Sequence, residues 1–143
     1  MDIQQVIYSS RPVPSLTMDE VNEIVASSQT WNQQRDVTGR LLVVTDASAD
    51  LLAFMQWIEG PKMAIQACLK RIIADPRHTA IHIVQNAQVS ERSYPGWSMH
   101  QEVLTAEAVE DALGAVGISG HIDTKGIIVV EGEIVQGDEP PQT

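Results

Sequence analysis

The run Leu51-Leu52-Ala53-Phe54-Met55-Gln56-Trp57-Ile58-Glu59-Gly60-Pro61 decides the fold, because an apolar segment ends there and a helical pattern begins. Residues 51 to 58 put apolar side chains on both faces of an extended chain, which reads as a buried strand. Gly60-Pro61 stops that strand and sets proline in the first turn of the next helix, where its missing amide hydrogen is harmless. One residue is out of place. Gln56 carries a primary amide into the apolar run, and burying it without partners would cost about 1 to 3 kcal/mol. Its oxygen accepts and its NH2 donates, and it can present either by turning over. Gln56 is therefore either a strand-end amide satisfied by neighbouring backbone or a candidate switch.

Working outward, Val37-Thr38-Gly39-Arg40 leads into Leu41-Leu42-Val43-Val44-Thr45, a second apolar strand that should pair with the first as a hairpin around residues 46 to 50. Gly39 at its start suggests a close backbone approach or a bend. Upstream, Ile3 to Ser9 is β-prone and should end at Ser10-Arg11-Pro12-Val13-Pro14, where two prolines oppose a regular continuation. Thr17-Met18-Asp19-Glu20 is a capping box that opens a helix running to about Gln33. The apolar stripe of that helix, Val21, Ile24 and Val25, continues at helical spacing through Ser28, Trp31 and Asn32. A stripe that turns polar is either a ligand wall or a frayed helix end. Downstream, a second helix buries Ile65, Cys68, Leu69 and Ile72 and stops at Asp75-Pro76-Arg77-His78. Residues 80 to 89 alternate as a fourth strand, and after a polar loop Trp97-Ser98-Met99-His100 reads as a short fifth strand. The order βαββαββ, with two helices on one face of a mixed five-stranded sheet, is the ferredoxin-like α+β arrangement.

With 143 residues the chain is long enough for one domain with its own core. Nine Lys+Arg against nineteen Asp+Glu give a net charge of −10, which makes nucleic acid and anionic membrane surfaces poor partners. The single cysteine, Cys68, lies in an apolar helical pattern, reads first as a small core residue, and fits a reducing cytoplasm. Neither a basic N-terminal region nor a long apolar segment is present, so a soluble cytoplasmic protein is expected.

The last forty residues change character. Thr105 to Leu113 reads as a short acidic helix, Gly114 to Gly120 is broken by glycine, and Ile127 to Val135 reads as a hairpin about Glu131-Gly132. That hairpin is either an edge extension of the sheet or a docking or dimerisation surface. The expected organisation is a folded unit over 1–103, a helix and β extension over 104–136, and a disordered tail over 137–143.

Several of these stretches occur together in an order that resembles a known family over roughly residues 3 to 100. They are Tyr8-Ser9-Ser10-Arg11, Ser28 through Asn32, Thr38-Gly39, Gln56-Trp57-Ile58-Glu59-Gly60, Arg71-Ile72 with Asp75-Pro76-Arg77-His78, and Trp97-Ser98-Met99. Each is short, but their joint order is similar to that of the BLUF domain, a blue-light sensor that uses FAD. The resemblance implies a flavin held non-covalently between the two helices against the sheet. In such domains light moves an electron and a proton from a tyrosine to the excited flavin, and a neighbouring glutamine then rearranges its hydrogen bonds. Position by position, Tyr8 matches the donor and Gln56 the switching amide. Asn32 matches the side chain on the flavin's polar edge, with Trp31 the position before it that also contacts the flavin, and Ile24 and Ser28 match pocket positions on the first helix. Ile72 matches a ring-packing residue, and Asp75, Arg77 and His78 the polar groups near the pyrimidine edge and ribityl chain. Trp97 and Met99 match the positions that relay the change outward. The resemblance implies no enzymatic reaction, no metal, no output domain on this chain, and signalling through a downstream protein, with self-association into a homo-oligomer.

Without the family, Tyr8 at a strand end would be a half-buried core residue, and Trp97 with Met99 an ordinary packed strand. Three departures from the family stand out. Trp31 replaces an asparagine or histidine, and its indole would stack on the cofactor, swing out, or fill part of the pocket. The segment Asp46 to Leu52 is longer than the usual turn and would be able to shift the register of Gln56. Arg40 follows Gly39 where a small or apolar residue is usual, and facing inward it would need a partner. These departures support an alternative, a protein-interaction module of the same fold that has lost flavin. A small enzyme of similar fold, such as an acylphosphatase, would need a glycine-rich phosphate loop that Ser9-Ser10-Arg11-Pro12 does not supply.

Overall fold

The computed structural model describes residues 2 to 131. Its elements run β1 (Ile3–Pro12), α1 (Met18–Gln33), β2 (Thr38–Thr45), β3 (Leu51–Gly60), α2 (Lys62–Ala74), β4 (His78–Val89) and β5 (His100–Thr105). A 3-10 turn (Ala106–Ala108), α3 (Val109–Gly114), β6 (Ser119–Ile122) and β7 (Ile128–Glu131) follow. The main sheet has the order β4-β1-β3-β2-β5, antiparallel except for the parallel β2–β5 pair. This is the expected α+β fold with a mixed five-stranded sheet.

The apolar character of both faces of β3 now has its cause. On one face Val6, Val43, Phe54 and Ile58 pack with Val21 and Val25 of α1 and Ile65 and Cys68 of α2. On the other, Ile7, Leu42, Val44, Met55 and Trp57 pack with Val109, Leu113, Ile118 and Ile128. The C-terminal segment therefore forms a third layer over the face that the two helices leave open.

Local chemistry sets the ends of the elements. Thr17 Oγ1 accepts from the Glu20 amide at 3.2 Å while Glu20 Oε1 accepts from the Thr17 amide at 3.0 Å, which closes the expected capping box. Pro61 sits at the N-cap of α2, one position before the first turn. A Cβ at Gly39 would lie 2.0 Å from the Trp57 carbonyl oxygen, so only glycine allows β2 to approach β3 there.

Three expectations need correction. β1 does not stop at Ser9 but runs to Pro12, because two register shifts let it follow β4 as far as the Pro12–His78 pair. Correspondingly, β4 starts at His78 rather than at residue 80. Trp97 to Met99 is not a strand: the Trp97 carbonyl accepts from the Gly39 amide, and those of Ser98 and Met99 accept from side chains of α1. β5 begins only at His100 and runs across residue 103. In the C-terminal segment β6 and β7 form a hairpin that turns at residues 123 to 126, where Asp123 Oδ1 accepts from the amides of Lys125 and Ile127, both at 2.9 Å. The hairpin expected about Glu131-Gly132 and the tail over 137–143 extend outside the described residues. Among the described residues no helix is long and apolar enough to cross a membrane.

Candidate functional site

Tyr8 on β1 and Gln56 on β3 are Cα partners in the antiparallel ladder, and both point to the helix side. Leu41 on β2 is the other Cα partner of Gln56. The longer 46–50 turn has not displaced this register, because the one irregularity of the β2–β3 pair is confined to Val44 and Thr45 at the turn.

Between α1, α2 and this face of the sheet lies a cavity of about 820 Å³. Ile24, Val25, Leu41, Phe54 and Ile72 give it apolar walls, and Tyr8, Gln56 and Met99 converge on its floor. That volume falls in the range of small-molecule sites, as does the combination of apolar walls with few polar groups. The polar groups are linked. The Tyr8 hydroxyl donates to Gln56 Oε1, and Gln56 Nε2 donates to Met99 Sδ at 3.4 Å. A phenol that donates and a thioether that only accepts fix which end of the amide faces which partner. Burial, and then the nearby Cys68 and Asp75, push the Tyr8 pKa far up, so its proton stays on the phenol. Burial likewise pushes the Cys68 thiol up to about 11.

His78 backs Tyr8, its ring meeting the phenol edge-on with centroids 6.2 Å apart. His78 Nε2 donates to the Ile72 carbonyl at 2.6 Å, which leaves Nδ1 to accept from the Ser10 hydroxyl at 2.8 Å. Asp75 and Arg77 close on each other at the cavity mouth, with guanidinium-to-carboxylate distances of 2.8 and 2.7 Å. Those hydrogen bonds hold the Asp75 carboxyl below its ordinary value.

Of the residues expected at the site, Tyr8, Ile24, Ser28, Gln56, Ile72, Asp75, Arg77, His78 and Met99 line this cavity. Asn32, Trp31 and Trp97 do not. Asn32 is buried with its Nδ2 donating to the Ser98 carbonyl at 2.6 Å, and Gln29 Nε2 donates to the Met99 carbonyl at 2.9 Å. The polar end of α1 is thus largely a clamp on residues 98 and 99, with Ser28 alone of the polar stripe on the wall. Trp31 is half-buried against the helix-side core, with Arg35 4.1 Å and Arg71 4.6 Å from its ring, and does not line the cavity. Trp97 is 41% exposed and stacks on Tyr94, while Met99 is buried. Arg40 faces the C-terminal layer and finds its partner in Glu102, with distances of 3.1 and 2.9 Å.

Sequence reading missed Phe54, Leu41 and Arg71 as wall residues. Phe54 lies two positions before Gln56 and so shares its face, a signal already present in the strand period. Leu41 follows from the register, which sequence does not give. Arg71 was visible only as part of a motif.

Comparison with known proteins gives a consistent result. The family model described as "Sensors of blue-light using FAD" (BLUF) matches residues 3–100. The photoactivated adenylate cyclase subunit beta of Euglena gracilis is 33% identical over 117 residues, and that of Euglena longa 32%. The match spans 78% of this chain but 13% of each of those relatives. Among solved structures, the dark state of BlrB, a BLUF protein, is similar with a TM-score of 0.64 and 25% identity, over 80% of this chain and 81% of that one. A bacterial light-regulated adenylyl cyclase is similar with a TM-score of 0.64 and 26% identity, over 71% of this chain and 28% of that one.

Proposed function

The chain belongs to the BLUF family of blue-light sensors, and on that premise we propose that it is a light-driven hydrogen-bond switch, with Tyr8 the donor and Gln56 the rearranging amide. The matched region is that of a sensor rather than an enzyme. When bound, the flavin supplies absorption of blue light and an acceptor for an electron and a proton. The residues around the cavity fit such a group, since Ile24 and Ile72 offer apolar packing from the two helices and Gln56 offers both a donor and an acceptor at the floor.

The observation that carries this reading is the Tyr8–Gln56–Met99 chain of hydrogen bonds. Tyr8 stores a proton that burial keeps from bulk water, and His78 and Ser10 brace the ring beside it. Gln56 is held at its oxygen by a phenol but at its nitrogen only by a thioether, which is a weak acceptor. Turning the amide over therefore gives up little on the Met99 side, and it exchanges the donor and acceptor that face the cavity. Met99 is joined to Gln56 at one end and to Gln29 through its carbonyl, so a reversed amide changes the seating of the segment that leads into β5. The output would pass from there to a protein partner in the cytoplasm or to a second copy of the chain. The relatives named as cyclases make a nucleotide cyclase one class of effector to test.

The deciding experiment is an absorption spectrum of the protein, purified with added FAD, before and after blue light. A flavin spectrum that shifts slightly to the red and recovers in darkness is expected, and Tyr8→Phe and Gln56→Leu should each abolish the shift while retaining flavin. A normal shift in Gln56→Leu would sink the switch assignment. A protein that cannot be loaded with flavin would favour an interaction module instead.

A further inference from the structure

We propose that the outward face of the α1–α2 layer is an interface between two copies of this chain, α1 of each copy seated on α2 of the other. The inference does not rest on the flavin reading. Both helices pack on the same face of the sheet, and they carry opposite charge. α1 holds Asp19, Glu20 and Glu23, all exposed, and no lysine or arginine. α2 holds Lys62, Lys70 and Arg71, all exposed, and no carboxylate, although the chain as a whole has a net charge of −10. Among the described residues none of these six groups forms an ion pair, whereas Arg40, Arg77 and Arg92 are each closed on a carboxylate of the chain. Arg77, the cation that Glu20 and Glu23 act on across the layer, is the one already held by Asp75. The outward face of α2 is apolar as well. Met63, 82% exposed, and Ile73, 56% exposed, are the two most exposed large apolar side chains among the described residues.

The helical period shows what each outward face offers. Met63, Ala67, Lys70 and Ala74 fall within an arc of about 60° on α2, and Asp19, Glu23, Ala26 and Thr30 repeat the same spacing on α1. Small side chains in both stripes let two helices approach closely while the charged ones reach across. A layer that carries both signs side by side is self-complementary, as an isologous contact requires. A two-fold axis along the helices sets α1 against α2 twice over, and like charges do not meet. The overall charge opposes association. At about 0.1 M salt, however, repulsion between remote charges is screened beyond about 10 Å, whereas opposite charges in contact are screened much less. An anionic membrane fits this surface poorly, because lipid-binding clusters carry about four to eight cations and here three carboxylates stand beside three cations.

The test is sedimentation equilibrium of the full chain in darkness, at about 0.1 M and about 1 M salt. A dimer is expected at the lower salt and a weaker one at the higher. Lys62→Glu with Lys70→Glu makes both helices negative, and Asp19→Lys with Ala26→Lys and Thr30→Lys gives α1 an excess of positive charge. None of these five residues lines the cavity, all are exposed, and glutamate and lysine are good helix formers, so both variants should fold, which far-UV circular dichroism checks. Each variant alone should weaken the dimer by at least about tenfold. Mixed together they should restore it, because both contacts then oppose unlike charges. An unmodified protein that stays monomeric would overturn the proposal and leave α2 to an acidic partner of another kind. A dimer that both variants keep, or one that tightens at the higher salt, would place the interface on another surface and overturn it equally. So would a mixture of folded variants that fails to associate.

Discussion

Strands β1 and β3 bury polar side chains on both of their faces, and the two faces treat them differently. On the helix side, Tyr8 and Gln56 satisfy each other, and among the described residues the one further side-chain hydrogen bond of the amide is to a sulfur. On the side of the C-terminal layer, the fully buried Glu59 accepts from Gln5 Nε2, the Ser93 amide and the Tyr94 amide, each at 2.8 Å. Gln85 Nε2 donates in turn to Gln5 Oε1 at 2.6 Å, which ties β4 to the same group. Both oxygens of Glu59 are used and every donor is a strong N–H, so no alternative arrangement of this cluster is close in energy. The helix-side pair keeps such an alternative, because amide reversal gives up only a weak bond to sulfur while the Tyr8 hydroxyl, which can accept as well as donate, re-forms its bond with the amide nitrogen. One sheet thus carries a fixed lock on one face and a labile pair on the other. The segment 90–99 joins them, with Tyr94 packed in the outer core and Met99 in the inner one.

The contrast breaks most severely if the lock is opened. Glu59→Ala takes the acceptor from the Ser93 and Tyr94 amides and the shortest bond from Gln5 Nε2, and should cost about 4 kcal/mol in chemical denaturation. A loss near 1 kcal/mol would mean that the cluster is no lock at all. The next effect belongs to Arg40, buried against Trp57 and Tyr94 and paired with Glu102. Hydrogen bonds from Arg40 hold the Glu102 carboxyl below its ordinary 4.5. Its folded-state pKa is depressed, so the stabilisation is complete above about pH 4.5 and is lost as the pH falls toward the folded value. Because the Glu102 side chain is 37% exposed, solvent screens the pair, and Glu102→Gln should cost only about 1 to 2 kcal/mol at pH 7. That difference should shrink in thermal unfolding as the pH falls below the ordinary 4.5 and through the depressed folded value; a difference independent of pH would place the effect outside the ion pair.

Much of this architecture is legible in the sequence for definite reasons. Residues 51 to 58 put apolar side chains on both faces, which marks the strand as buried, although they do not say what covers the face away from the helices. Thr17 and Glu20 marked the start of α1 because a capping box is local chemistry. Gly39 marked a close approach for the same reason. What stayed hidden depends on partners far along the chain. Glu59 looks like a charged residue at a strand end, and nothing nearby shows that amides at 93 and 94 fold back onto it. The covering layer over 106–131 has apolar residues without a clear period, since one short helix and two four-residue strands are too brief to establish one. The β6–β7 turn at Asp123 to Gly126 carries an Asx signal that is recognisable only once its flanking segments are known to be strands. The orientations of Trp31 and Trp97 depend on Arg71 and Tyr94, neither of which their own elements supply.

The smallest expected effect is the most informative about the labile pair. Gln56→Leu leaves the Tyr8 hydroxyl without its acceptor, and Tyr8→Phe leaves Gln56 Oε1 without its donor, so each should cost about 1 kcal/mol in stability. The double variant removes both polar ends of the bond and leaves only Met99 Sδ to notice the change. Replacing both partners of a buried hydrogen bond by apolar groups of similar shape is close to neutral, so the double variant should be no less stable than either single one. A double-mutant cycle in urea measures this directly, through a coupling energy of about 1 kcal/mol. Additive losses would mean that Tyr8 and Gln56 each rely on other groups, and the pair would then be a second lock rather than a switch. Coupling at Tyr8–Gln56, set beside the large single cost at Glu59, would show that the two faces of one sheet are built for opposite purposes: one to hold the segment 90–99 in place, the other to let go of its far end.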